Sequence, residues 1–144
     1  MWKVYKEADY FVFTGNSFIK TNHALIMGRG MAKQVRDRIP GIDIRIGKHI
    51  LKKYTQNMSR YGFMCCGKIC VFQVKQHYIG YADESLIEQS VELLCIFANK
   101  HPSKQIHMNY PGIGCGGLTE KIVFPIIKHL PDNVHIWKYR DKNT

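Results

Sequence analysis

The chain has 144 residues, 45% of them hydrophobic, and a formal net charge of +10. This is the size of one ordinary domain with enough apolar residues for a core, and the lack of a roughly 20-residue apolar run excludes a membrane-spanning helix. The charge favours an anionic partner or a solvated lysine-rich surface. No RNP-like or helix-turn-helix pattern accompanies it, so a nucleic-acid partner stays open. We expect a single domain over residues 1–144 that is a monomer.

The N-terminus and the cysteines predict a compartment. Residues 1–11 lack the short apolar core and small-residue cleavage site of a secretory signal. An odd count of five cysteines then indicates reduced thiols and a cytoplasmic location, or the host cytoplasm if the chain is viral or phage-encoded. Because Cys65, Cys66 and Cys70 do not form a paired C-x-x-C set, we expect no metal site.

The first half of the chain predicts alternating strands and helices. Hydrophobic residues indicate two early strands, at residues 2–4 and 10–13. A short helix over 31–39 ends at Pro40, and a second helix covers 44–54. Residues 63–67 and 69–75 are rich in β-branched and aromatic side chains and are predicted to be strands.

The second half begins with the most strongly periodic helix. Its apolar residues from Leu86 to Ala98 share one face, and Ser85 with Glu88 has the form of a capping box. A strand over 105–110 follows, and then a helix over 123–130 with Pro125 in its first turn. A last strand covers 134–139. This alternation predicts a three-layer α/β fold with a mostly parallel or mixed sheet, in which ligands bind beyond the carboxyl ends of the strands.

Two glycine-rich loops lie at such positions. Gly112, Gly114, Gly116 and Gly117 directly follow the strand over 105–110, and residues 27–32 contain a second glycine pair before a helix. Bare backbone N–H groups at a helix start suit a phosphate or pyrophosphate, although a tight turn also explains such loops. Neither loop is a standard dinucleotide or P-loop motif, because the chain has no G-x-G-x-x-G in the first βα unit and no G-x-x-x-x-G-K-[ST].

Taken with these loops, the early strand resembles that of the macro domain family, the α/β/α sandwiches with a mixed sheet that bind ADP-ribose. Asp9 precedes Asn16 by seven residues, 28-GRGMAKQV-35 matches the next motif, and 111-PGIGCG-116 matches the phosphate loop. The resemblance implies that Asp9 bonds the adenine amine and that Asn16 lies near the distal ribose. It also implies that the loops hold the ligand through Gly28, Arg29, Gly30, Met31, Pro111, Gly112, Ile113, Gly114, Cys115, Gly116 and Gly117.

Within that family the chain is similar to the branch of terminal ADP-ribose glycohydrolase and the antitoxin that removes ADP-ribose from DNA. The similarity rests on 27-MGRGMA-32, 113-IGCG-116 and Lys75 at the end of a central strand. It implies that Lys75 attacks the anomeric carbon of the distal ribose, which requires a neutral amine of lowered pKa. Where the branch has an acid/base aspartate after I-G-C-G, this chain reads 116-GGLTE-120. Leu118 or Thr119 stands at that point, depending on a one-residue gap, and Glu120 is the nearest carboxylate.

Three functions follow from the resemblance. The first is hydrolysis of an ADP-ribosyl linkage on protein or nucleic acid, with Lys75 as the catalytic residue and no cofactor. The second is non-catalytic binding of ADP-ribose or a derived signal, and the third is ADP-ribose 1''-phosphate phosphatase activity. His23, in the loop after Asn16, is a further candidate near the distal ribose.

Overall fold

The computed structural model of the protein describes residues 1–138. The elements in chain order are a 3-10 turn at Trp2–Val4, β1 (Tyr10–Gly15), α1 (Gly30–Arg38), α2 (Ile42–Tyr54), β2 (Phe63–Cys66), β3 (Ile69–Gln73), α3 (Glu84–Lys100), β4 (Ile106–Asn109), a 3-10 turn at Gly114–Gly116, α4 (Glu120–Ile127) and β5 (Val134–Trp137). Within the described residues, no helix is both long enough and apolar enough to cross a membrane.

The five strands form one mixed sheet in the order β2-β3-β1-β4-β5. The central strand β1 is parallel to both of its neighbours, β3 and β4, and β5 is parallel to β4. Only β2 is antiparallel, because a tight turn at Gly67 and Lys68 returns the chain directly into β3. The predicted α/β fold with a mixed sheet is confirmed.

Two hydrophobic clusters, one on each face of the sheet, give the three layers. Side chains alternate between the faces of a strand, so Phe11 and Phe13 of β1 pack with α1 and α2, while Val12 packs with α3 and α4. All three residues are fully buried. The predicted near-continuous apolar run of β1 is therefore explained by helices covering both faces.

The largest differences from the predicted elements lie at residues 2–4 and at the start of α4. Residues 2–4 form a 3-10 turn rather than a strand, and the Trp2 ring packs 4.5 Å from that of Phe11 with the Arg38 guanidinium 4.3 Å from its centre. Helix α4 begins at Glu120, three residues before the predicted start, so Pro125 lies inside the helix instead of its first turn. Of the strand predicted over 134–139, residue 139 lies outside the described residues.

The cap of α3 is also not the predicted one. Asp83, not Ser85, is the N-cap residue, and its Oδ1 accepts the backbone N–H groups of Ser85 at 2.9 Å and Leu86 at 3.3 Å. Ser85 lies one residue inside the helix start and donates its hydroxyl to the same oxygen at 2.7 Å. A charged acceptor two residues earlier therefore replaces the predicted capping box.

The cysteines differ from the prediction of five reduced thiols. Cys65 and Cys70 face each other directly across the β2–β3 pair and are joined by a disulfide. Opposite residues of antiparallel strands have neighbouring Cβ atoms, so the tight hairpin itself brings the two sulfurs together. Cys66, Cys95 and Cys115 are free thiols.

Gly47 makes a testable contribution to this fold. It lies in the middle of α2, where alanine usually stabilises a helix by about 1 kcal/mol relative to glycine. A Cβ at position 47 would, however, overlap the backbone carbonyl oxygen of His23. We expect Gly47→Ala to lower the free energy of unfolding in urea by about 1–3 kcal/mol. Gly28→Ala, whose Cβ would meet no atom within 4 Å, is the matched control and should be near neutral. A stabilised Gly47→Ala protein would contradict the packing described here.

Candidate functional site

The candidate site lies where the parallel strands β1, β3 and β4 end. The segments that leave these strands begin at Asn16, at Val74 and at Tyr110. Because parallel strands place their carboxyl ends at one edge of the sheet, all three segments start at that edge. The candidate residues on these segments are Asn16, Lys75 and the glycine loop over 111–117.

The loop over 111–117 presents a row of free backbone donors. Its own turns use the N–H groups of Gly116, Gly117 and Leu118, which donate to carbonyls of the same loop at 2.9–3.2 Å. The preceding N–H groups, those of Ile113, Gly114 and Cys115, have no acceptor within residues 1–138. Successive N–H groups next to a left-handed residue form an anion-binding concavity, and Gly114 has a φ of 64°.

The glycines of this loop are needed for different physical reasons. A Cβ at Gly112 would lie 2.8 Å from Cδ1 of Ile87, and one at Gly117 would overlap the ring of Tyr81. These two glycines allow the loop to pack against α3 and against the segment after β3. A Cβ at Gly114 would meet nothing within 4 Å. The chain therefore leaves open space beside the free donors of Gly114.

The second glycine loop ends at the N-terminus of α1. Arg29 is the N-cap residue and makes no side-chain cap hydrogen bond. The N–H groups of Gly30, Met31 and Ala32 consequently have no acceptor among residues 1–138, and the helix adds partial positive charge at this end. A Cβ at Gly28 would also meet no atom within 4 Å. This loop is thus a second open set of donors.

Lys75 follows β3 at the same edge of the sheet. The strand predicted over 69–75 ends at Gln73, so Lys75 lies two residues beyond β3 and not at its end. Lys75 is partly buried, and its Nζ donates to the carbonyl of Gly80 at 3.1 Å. The pKa of Lys75 is lowered, chiefly because partial burial disfavours the ammonium form. Cys115 acts against this shift and the Arg29 guanidinium adds to it. The amine therefore lies within electrostatic reach of one residue from each glycine loop.

The segment after Lys75 forms the rim of the site. Ala82 N donates to Gly116 O at 2.8 Å, which ties this segment to the glycine loop. Its large side chains point into solvent, with exposed fractions of 41% for Tyr78, 67% for Ile79 and 79% for Tyr81. The sequence analysis does not predict Tyr81 as a site residue. Tyr78 and Tyr81, on either side of Gly80 and shortly after Lys75, are the sequence feature that indicates it.

Asn16 lies at the site edge but uses its side chain within the protein. Its Nδ2 donates to Ile26 O at 3.0 Å, and its Oδ1 accepts Phe18 N at 2.9 Å. The buried hydroxyl of Tyr61 donates to the backbone carbonyl of Asn16 at 2.6 Å. These bonds fix the segment that leads from β1 to the first glycine loop, so Asn16 positions Gly28 and its neighbours.

The structure does not bring Asp9 to this edge. Asp9 immediately precedes β1, at the opposite end of the strand from Asn16. Its Oδ2 accepts the backbone N–H of Gln105 at 2.8 Å and so ties the start of β1 to the start of β4. Strands rise about 3.3 Å per residue, which separates Asp9 from Asn16 by roughly 20 Å.

Three further candidates make no described contact with Lys75. His23 is exposed in a turn whose backbone packs against Gly47 of α2. Thr119 is the N-cap of α4 but makes no side-chain cap hydrogen bond. Glu120 accepts a hydrogen bond from Lys138 Nζ at 2.6 Å. Over residues 1–138 there is no group of three or more His, Cys, Asp or Glu side chains that could hold a metal ion.

No protein-family model and no curated protein matches the chain, but solved structures do. DarTG of Thermosipho africanus in complex with ADP-ribose has a TM-score of 0.70 and 18% identity; the alignment covers 94% of this chain and 40% of that one. The macrodomain of Thermus aquaticus DarG has a TM-score of 0.67 and 20% identity, with 93% and 90% covered. The macrodomain of Mycobacterium tuberculosis DarG has a TM-score of 0.64 and 19% identity, with 94% and 90% covered.

These alignments span nearly all of this chain but only 40% of the DarTG chain. Structures described as macrodomains thus share this fold over nearly all of the chain. The chain therefore has the macrodomain fold.

Proposed function

We propose that the chain binds ADP-ribose as a monomer and hydrolyses an ADP-ribosyl linkage through Lys75. The observation that carries this proposal is the pair of open backbone donor sets, at residues 113–115 after β4 and at residues 30–32 after β1, beside the segment in which the partly buried Lys75 follows β3. The similarity to DarTG, which was solved with ADP-ribose, supports the choice of ligand.

The two loops are suited to the diphosphate of ADP-ribose. One offers the N–H groups of residues 113–115, and the other offers those of residues 30–32 at the start of α1. A diphosphate between them would accept from both sets and meet the positive end of the helix. Gly28 and Gly114 leave room for its close approach, since neither would place a Cβ near another protein atom.

Lys75 is suited to attack the distal ribose once the diphosphate is held. In the neutral amine, the Nζ lone pair forms a bond to the anomeric carbon as the bond to the leaving group breaks. The nitrogen becomes positively charged and loses its proton to the leaving group. Opening of the sugar ring gives an imine, which water hydrolyses to ADP-ribose and free Lys75. The linked group is a protein side chain or a nucleic acid.

The second candidate, non-catalytic binding, is favoured by a specific observation. Glu120, the nearest carboxylate after the glycine loop in the sequence, is paired with Lys138. No carboxylate among residues 1–138 contributes to the shifted pKa of Lys75. A pure binder needs the two loops but no acid or base beside the amine.

Variants of Lys75 distinguish the two. We expect Lys75→Ala to abolish release of ADP-ribose from ADP-ribosylated protein or DNA while ADP-ribose affinity stays within a few-fold of wild type. Lys75→Arg should be equally inactive, because a guanidinium stays protonated and cannot attack. Mass spectrometry of the products and calorimetry of binding measure the two effects, and Lys128→Ala, exposed just beyond α4, is the control. Tight binding by wild type with no turnover of any ADP-ribosylated substrate would establish the binder instead.

The pH dependence of turnover tests the state of the amine. Only the neutral form reacts, so the rate should rise with pH and level off above the pKa of Lys75, which is lowered from its ordinary value. Removing the Arg29 charge removes one cause of that lowering. We therefore expect Arg29→Gln to move the profile to higher pH in single-turnover assays at saturating enzyme. An unmoved profile would contradict the electrostatic contact between the two side chains.

A substitution at Gly28 tests whether the diphosphate occupies the open space beside this residue. Gly28→Val adds a branched side chain where no protein atom lies within 4 Å, so the free energy of unfolding should change by no more than about 0.5 kcal/mol. ADP-ribose binding should weaken at least about tenfold, which corresponds to roughly 1.4 kcal/mol. Calorimetry and urea unfolding measure the two quantities. Unchanged affinity in a folded variant would place the diphosphate elsewhere.

A substitution of Asp9 should change stability and not affinity. Asp9→Ala removes the acceptor of the Gln105 N–H and should lower the free energy of unfolding by about 1 kcal/mol. Because Asp9 lies at the far edge of the sheet, ADP-ribose affinity should not change. A tenfold loss of affinity measured by calorimetry would show that Asp9 reaches the adenine, as the family resemblance implies.

A further inference from the structure

A basic groove lies at the edge of the sheet opposite Lys75. It is lined by Arg45, Lys48, His49 and Lys52 of α2 and by Cys65, Cys66 and Gly67 at the end of β2. We call it the α2 groove. The β2–β3 turn stands at the start of β3, whereas Lys75 follows its end. The five residues of β3 separate the two by roughly 15 Å.

The fold fixes which way the cations of the groove point. Residues 45, 48, 49 and 52 share one stripe of α2, because helix neighbours recur at three, four and seven positions. The neighbouring stripe, Ile42, Ile46 and Ile50, is buried in the core. All four groove residues on the helix are exposed. From Arg45 to Lys52 the stripe is about 10 Å long, at 1.5 Å per residue.

No carboxylate compensates this stripe within residues 1–138. The described ion pairs join Lys33 or Arg36 to Asp37, Arg60 to Asp83 and Lys138 to Glu120. Arg45, Lys48 and Lys52 form none of these pairs, and their side chains make no hydrogen bond to a described residue. The pKa of the neighbouring Cys66 thiol is raised, because burial raises it more than the Arg45 guanidinium lowers it.

The positive surface continues past Gly67. A second depression that shares Gly67 is lined by Asp9, Tyr10, Lys68 and Lys104. Asp9 is its one carboxylate, and an oxygen of that carboxylate already accepts from Gln105 N. Lys68 donates to the Tyr5 carbonyl and lies over the Tyr5 ring. Cations therefore extend from α2 across the hairpin to the start of β4.

We propose that the α2 groove binds the phosphate backbone of a polynucleotide. Each nucleic-acid strand carries a negative charge about every 3.4 Å, so the roughly 10 Å stripe faces about three consecutive phosphates. An uncompensated row of arginine and lysine beside an open groove is the electrostatic footprint of backbone binding without base readout. The inference does not rest on the proposed function, since no residue of the glycine loops takes part.

The test compares paired neutralising variants. Lys48→Gln/Lys52→Gln removes two groove charges, and Lys121→Gln/Lys128→Gln removes two exposed charges at the two ends of α4, on the opposite face of the sheet. Fluorescence anisotropy with a labelled oligonucleotide of about 20 nucleotides, single-stranded or duplex, gives affinities from roughly 50 to 200 mM salt. We expect the groove variant to bind at least tenfold more weakly. Its slope of log affinity against log salt should fall by about 1.4 for the single strand or 1.8 for the duplex. The α4 variant should resemble wild type.

A second measurement does not depend on substitution. Bound oligonucleotide should protect Lys48 and Lys52 from acetylation, measured by mass spectrometry, and leave Lys121 and Lys128 reactive. Equal effects in both pairs, or competition by poly-glutamate as strong as by the oligonucleotide, would overturn the proposal. ADP-ribose affinity should be unchanged in the groove variant, so failure here and failure of the proposed function are separate results.

Discussion

Parallel pairing of β1 with both of its neighbours is the constraint on which the site depends. The pairs from Phe11 with Ile69 to Gly15 with Gln73 join β1 to β3, and the pairs from Tyr10 with Ile106 to Val12 with Met108 join it to β4. This register makes three strands end at one edge. The segment of Asn16, the segment of Lys75 and the glycine loop over 111–117 are neighbours for that reason, although up to about a hundred residues separate them in the sequence.

The same constraint places Asp9 and Asn16 at opposite edges of the sheet. Asp9 and Asn16 flank a single strand, so an extended backbone must carry them to opposite edges of the sheet. Their spacing matched a pattern, but the strand between them was already evident in the apolar run of β1. The elements, their order and the mixed sheet were predictable because hydrophobic periodicity reports burial directly. Hydrophobic periodicity does not report at which edge of the sheet the residue before or after a strand lies.

Local details were less predictable, because they depend on tertiary contacts. Trp2 lies in a 3-10 turn whose position follows from its packing on Phe11 and under Arg38. The disulfide follows from the register that places Cys65 opposite Cys70. The number of cysteines alone does not predict that register. For α3, two acceptors competed for the cap, and the carboxylate of Asp83 bonds two N–H groups that the hydroxyl of Ser85 does not.

Glycine number alone would not have distinguished a ligand loop from a tight turn. Gly112 and Gly117 are required by packing against Ile87 and Tyr81, so they would be needed with or without a ligand. The evidence for a ligand lies in what the turns leave unused: three successive N–H groups at residues 113–115, with open space at Gly114. Gly114 and Cys115 are exposed, so their N–H groups are accessible to a ligand. An anionic group bound there would accept from all three N–H groups, and this is the physical basis for proposing a ligand loop instead of a simple turn.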